Sequence, residues 1–323
     1  MQDRLSSMVG KIHYLSDKIH YRYDNSLAPG LTIDSGDTVT LVCKEAADGQ
    51  FTKDSTVEIL DHVDWERIHA LSGPIAINDA EPGDTLKVEV LEFGHHGWGW
   101  TALFPGFGLL ADEFGDQKHL RIWNVSKDGF AQFIPNIRVP IEPFLGEMGV
   151  AWETPGPQPT MPPTILGGNM DCRHTGKGAT VYFPVKVPGA LFSAGDGHLA
   201  QGDGEVAGTA IEAPLDVTLR FTLIKNQTIP AVRFETSGPT THRADGMGYY
   251  VTCGTGPDIQ QCSIDAVSLM VEKLNKDFQI SREDAYVICS AAGDLKIAVP
   301  VLGEGHAAHV TFHIPKSIFI EEK

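Results

Sequence analysis

Residues Leu215, Val217, Leu219, Phe221 and Leu223 alternate with Asp216, Thr218, Arg220 and Thr222. A period of two predicts a strand over Leu215–Leu223 with one buried and one polar face. A second strand-like run covers Ala179–Val187. A turn followed by a β-branched run recurs at Ser35–Val42, Pro82–Val90 and Gly293–Val299, in each case with Gly-Asp at the turn. Glycine supplies the turn backbone and the aspartate bonds the amides beyond it, so common hairpin chemistry accounts for the likeness without an internal duplication. The period changes to 3.6 only late. Ile264, Val267, Met270, Val271 and Leu274 share one helical face, with Ser263 as the expected N-cap. A shorter helix is expected from Ser281-Arg282-Glu283-Asp284, giving way to a strand-like Tyr286-Val287-Ile288-Cys289. The pattern predicts a mainly β fold, a β-sandwich-like core with a mixed α/β C-terminal portion, divided as 1–225 and 226–323.

Composition narrows the function classes. The chain has 323 residues and a net charge of −17. An acidic protein lacks the clustered Lys and Arg that phosphate binding needs, so nucleic acid and anionic membrane are excluded as partners and a small neutral molecule is favoured. Five scattered cysteines, Cys43, Cys172, Cys253, Cys262 and Cys289, form no CxxC pair and suit a reducing, cytoplasmic setting. Met1–Ser7 carries no apolar segment of signal-peptide type, and no run approaches membrane-spanning length.

Chemistry concentrates in Gly167–Glu205. Gly195-Asp196-Gly197-His198 leads through Gly202-Asp203-Gly204 to Glu205, and Gly167-Gly168-Asn169-Met170-Asp171 lies upstream. Carboxylates and imidazole on glycine-rich turns can hold a divalent cation or manage protons. Asp203 is expected to bond local amides. Pro155–Pro163 is a stiff segment that either shapes a pocket wall or links subdomains. Cys172 is a weaker nucleophile candidate, with a structural thiol the simpler reading. His306, His309 and His313 fall in a strand-like stretch, which separates them across two faces.

In order along almost the whole chain, further blocks accompany these residues. They are Gly73-Pro74-Ile75, Ala80-Glu81-Pro82-Gly83-Asp84, Pro105–Leu110, Gly146-Glu147-Met148-Gly149-Val150, Pro162-Pro163 and Gly208-Thr209-Ala210-Ile211-Glu212. On these blocks the chain resembles the acetamidase/formamidase family of amide hydrolases. The resemblance implies hydrolysis of short linear amides to carboxylate and ammonia, a divalent metal ion near the acidic turns, and a homodimer or larger oligomer. Asn169, Asp171, Asp196 and His198 are then the candidate metal ligands, with zinc favouring His198 plus carboxylates and calcium an all-oxygen set. Glu205, Asp171 and His198 are the candidate catalytic residues, Glu205 as general base. Glu45, His96 and Trp98 are candidates for binding substrate. Two alternatives stand beside this: a non-catalytic, metal-stabilised binding protein, and a metal-independent amidase of the same fold.

Overall fold

The computed structural model describes residues 10–240, 243–300 and 307–320. His306 and Met1–Ser7 lie outside them. The fold is mainly β, 38% strand against 17% helix. One six-stranded sheet runs in the order Ile12–Leu15, Thr38–Cys43, Leu215–Ile224, Thr85–His95, Thr180–Pro184, Arg233–Glu235. The expected alternation holds in its centre: Leu215, Val217, Leu219 and Phe221 are fully buried while Arg220 is exposed. The two Gly-Asp turns are built alike, Asp37 accepting from the Asp34 amide at 3.1 Å and Asp84 from the Glu81 amide at 2.9 Å. Both strands that follow pair with Leu215–Ile224.

A second sheet packs on the buried face of the first. Its order is Gly167–Asn169, Phe144–Gly149, Phe192–His198, Leu71–Ile77, Ile19–His20, with Leu31–Ile33 also beside Leu71–Ile77. Phe192 stands edge-on to Phe221 and Phe183 of the facing sheet, ring centroids 5.2 and 5.6 Å apart. A four-stranded antiparallel sheet ends in Trp98–Leu103. Glu212 stitches that strand to Phe192–His198, bridging both Trp100 and His198.

The C-terminal portion adds helices Ile259–Phe278 and Arg282–Ala292 and a three-stranded sheet. Two local expectations are corrected here. Asp258, not Ser263, caps the first helix, accepting from the Gln261 amide; Ser263 lies inside it, its hydroxyl bonded to the Ile259 carbonyl. Tyr286–Cys289 is helical rather than extended: Ser281 caps the helix as expected, and burial of every residue from Ala285 to Ala292 outweighs the β-branched run.

Candidate active site

The segment expected as one glycine-rich turn divides in two. Its first half is the strand Phe192–His198, buried along its whole length, with Asp196 and His198 two residues apart. Its glycines are explained by what lies opposite: a Cβ at Gly195 would stand 2.4 Å from the Ala70 carbonyl oxygen, and one at Gly197 2.5 Å from that of Ala213. Beneath the side chains lies Gly146. A Cβ there would stand 2.3 Å from Asp196 Oδ2, 2.6 Å from Asp171 Oδ1 and 2.9 Å from His198 Cε1. Asp171 from the upstream segment and Asp196 and His198 from this strand therefore meet over one bare stretch of backbone.

Asp171, Asp196 and His198 form one group whose ligand atoms lie within 4.8 Å of one another; His198, Glu205 and Glu212 form a second that shares the histidine. His198 is fixed by its neighbours. Gln201 donates its amide N–H to the Asp171 carbonyl at 2.7 Å, which leaves Gln201 Oε1 to accept from His198 Nδ1 at 2.8 Å. The other ring nitrogen, Nε2, stands 3.1 Å from Glu212 Oε2 and 3.3 Å from Asp196 Oδ1. Neither contact is aligned as a hydrogen bond: His198 Nε2, Glu212 Oε2, Asp171 Oδ1 and the Asn169 amide oxygen are buried without a hydrogen-bond partner among the described residues. Two carboxylates on one ring nitrogen call for positive charge between them, supplied by a proton on Nε2 or, once that proton leaves, by a bound cation, and the donor set fits a divalent ion.

Electrostatics agree with this geometry. Burial, and then Asp171, hold the Glu205 carboxyl well above the usual range, and burial pushes Glu212 up to about 7. The neighbouring carboxylates hold His198 well above an ordinary histidine despite its burial. Asp171, Asp196 and Glu205 also share a left-handed backbone, with φ of 44°, 54° and 41°. Each such conformation costs on the order of 1–3 kcal/mol in a residue with a Cβ, and clustering of that kind is typical of reactive sites.

The second half of the segment is held from the C-terminal portion. The Tyr286 hydroxyl donates to the Val206 carbonyl and accepts from the Leu110 amide at 2.8 Å. Ser290 donates to the Thr209 carbonyl at 2.7 Å and accepts from the Ala207 amide at 3.1 Å. Asp203 pairs with Arg173 at 3.0 Å and His174 at 3.4 Å, which hold its carboxyl down at about 2, outside the cavity.

Beside these groups opens a cavity of about 110 Å³, reached by Asn169, Asp171, Asp196, Glu205 and Glu212. His69 also lines it, with Nδ1 2.9 Å from Glu147 Oε2 and Tyr23 beyond Glu147. Met161 of the Pro-rich segment forms part of its wall, and the Thr160 hydroxyl accepts from the His69 amide at 3.1 Å. The three residues expected to bind substrate lie elsewhere. Glu45 is buried beside the cavity, with both oxygens occupied by the amides of Ala47, Gly49 and Phe51 and by Trp100 Nε1 at 3.1 Å. It acts on the cavity indirectly, by holding the Trp100 ring and the loop that carries Ala46. His96 is exposed and pairs with Asp216 at 3.3 Å. Trp98 packs in a cluster with Phe51 and Trp100 and does not line the cavity. Cys172 lies outside the cavity too, and burial raises its thiol above the usual value.

Sequence reading alone missed Glu212, Glu147, His69 and Gln201. Glu212 had a usable signal, a lone carboxylate within the apolar run Ala210-Ile211-Glu212-Ala213. His69 had none.

Comparisons with known proteins give the family. The model of the acetamidase/formamidase family matches residues 9–158 and 155–321. The acetamidase of Mycolicibacterium smegmatis is 28% identical over 286 residues, 69% of this chain and 68% of that one. The formamidase of Methylophilus methylotrophus is 28% identical over 263 residues, 65% of each. Across the curated relatives the matched region spans 64% to 68% of their own length. The γ-lactamase structure from Delftia acidovorans superposes with a TM-score of 0.86 at 24% identity, covering 96% of this chain and 94% of that one, a likeness of fold. With the family model matched over nearly all of its length, this chain belongs to the acetamidase/formamidase family.

Proposed function

We propose that the chain hydrolyses small linear carboxamides to carboxylate and ammonia in the cavity beside His198. The observation that carries this is the set of orphaned polar atoms on Asn169, Asp171, His198 and Glu212, three of these residues lining a small pocket and His198 lying against them. Family membership and the names of the relatives support the reaction class. A divalent cation would be held by Asp171, Asp196, His198 and Glu212, with the Asn169 oxygen in reach. When bound, it polarises the amide carbonyl and lowers the pKa of water.

The chain's own residues supply the rest. Glu205 lines the cavity and forms a carboxyl pair with Asp171. In a water-poor site such a pair shares a proton, and Glu205 is placed to take one from the attacking water and return it to the amide nitrogen. Gln201 keeps His198 in one tautomer. His69, backed by Glu147 and close to the Asp196 charge, also lines the cavity and supplies a second polar contact for the substrate head. The reading extends to a cytoplasmic setting, which five free cysteines support, and to a homodimer, which rests on the family resemblance alone.

Ammonia release from formamide and short aliphatic amides tests the proposal, before and after chelation and with zinc or calcium restored. Turnover should vanish with the chelator and return with one cation. Glu205→Gln should lower kcat/KM by about 10² to 10⁴-fold, the usual weight of general acid–base catalysis. A protein whose melting temperature responds to the cation while no amide yields ammonia would be a metal-stabilised binding protein instead.

A further inference from the structure

The cavity is divided chemically in a way that the hydrolytic groups do not explain. Among the described residues, every ionisable side chain lining it is a carboxylate or His69, and no Lys or Arg is among them. Apart from Asn169 and Thr209 the remaining wall is apolar, its large side chains being Trp65, Ile68, Trp100, Phe104, Phe107 and Met161. Its outer part is exposed: Trp65 by 45%, Phe107 by 42% and Met161 by 38%, whereas Trp100 and Ile68 deeper in are buried. These exposed rings are held in place. Trp65 stands edge-on to Phe104 with centroids 5.0 Å apart. The Phe107 ring lies on the bare backbone of Gly208, where a Cβ would come within 2.5 Å of it.

Ordered aromatic side chains left facing water beside a reactive pocket have an apolar ligand to cover them. Formamide has no carbon with which to do so. The volume sets the scale, since a cavity of about 150 Å³ holds a benzene ring. At 110 Å³ the space takes an amide head and a short alkyl group, with longer chains running out along Trp65 and Phe107.

We propose that this wall is an acyl subsite, selecting amides with an uncharged apolar acyl group of about three to five carbons over formamide. The assignment rests on the amidase reading and adds the acyl class to it. An acyl chain ending in a carboxylate is rejected, because the wall of Trp65, Phe107 and Met161 along which it would run offers its charge no Lys or Arg partner among the described residues.

The test compares kcat/KM for formamide, acetamide, propionamide, butyramide and succinamate. Values should rise about fourfold per added carbon, the usual return for a buried methylene, and fall for succinamate below butyramide. Trp65→Ala, at an exposed position, and the milder Phe107→Leu should each flatten that rise. Tryptophan emission of the Glu205→Gln variant, titrated with the same amides, reports binding without turnover and should show the same ordering in Kd. Formamide as the best substrate, with ammonia still released, overturns the subsite and leaves the amidase reading standing. No turnover on any amide, with Kd tightening along the series, supports the subsite while the hydrolytic reading falls. Equal Kd values throughout, or a slope unmoved in both variants, overturn the assignment.

Discussion

Two hollows lie on either side of Gln201. The outer cleft, walled by Glu92, Glu142, Arg173, His174 and Lys177, encloses about 430 Å³, against about 110 Å³ beside His198. In the cleft the basic side chains have partners already: Lys177 meets Glu92, Arg173 meets Asp203 and Asp294, and the His174 ring meets Asp203. In the smaller hollow the donor atoms of Asn169, Asp171, His198 and Glu212 are held out of water without hydrogen-bond partners among the described residues. Leaving buried polar atoms in that condition costs on the order of 1–3 kcal/mol each. A folded chain sustains such a cost where a ligand repays it, so unsatisfied polarity is a better guide to chemistry than volume.

Three substitutions probe that contrast. Gly146→Ala should have the largest effect, because its methyl group would enter the space of Asp196 and Asp171. Displacing reacting groups by about 1 Å costs on the order of 100-fold in rate, and overpacking about 1–3 kcal/mol of stability. Steady-state rates and urea midpoints measure both, and a near wild-type rate would mean that the carboxylates are not gathered over this strand. Gln201→Leu removes the acceptor of His198 Nδ1 while keeping much of the volume. Losing such a support costs about 10- to 100-fold in metal affinity or activity, readable by metal titration alongside kcat/KM. The smallest effect is expected from Lys177→Ala in the outer cleft, where the pair with Glu92 is 60% exposed on both sides. Activity should stay within about twofold and the urea midpoint should be unchanged, as expected for an exposed ion pair. A large loss there would move the reactive centre to the cleft.

The fold was legible where the pattern was local. Strict alternation marked Leu215–Ile224, and the Ser281 cap marked the start of the last helix. The strand Phe192–His198 escaped because it is buried on both faces and its glycines answer to backbone atoms far away in sequence. In the site, Asp171, Asp196, His198 and Glu205 could be picked out as acidic or basic groups among glycines. Their convergence depended on Gly146, whose contribution is to have no side chain. Glu45 shows the opposite limit: a lone acidic residue looks the same in sequence whether it faces substrate or serves four N–H donors.

The grip of helix Arg282–Ala292 on the stretch from Gly202 to Thr209 has a consequence for how this chain can change. The candidate ligands all precede residue 213, yet the jig that aims Glu205 is made some eighty positions later. Exchanging the C-terminal third with that of a relative would therefore retune the reaction without altering one acidic group. Drift in Tyr286 or Ser290 would reach the chemistry by the same road.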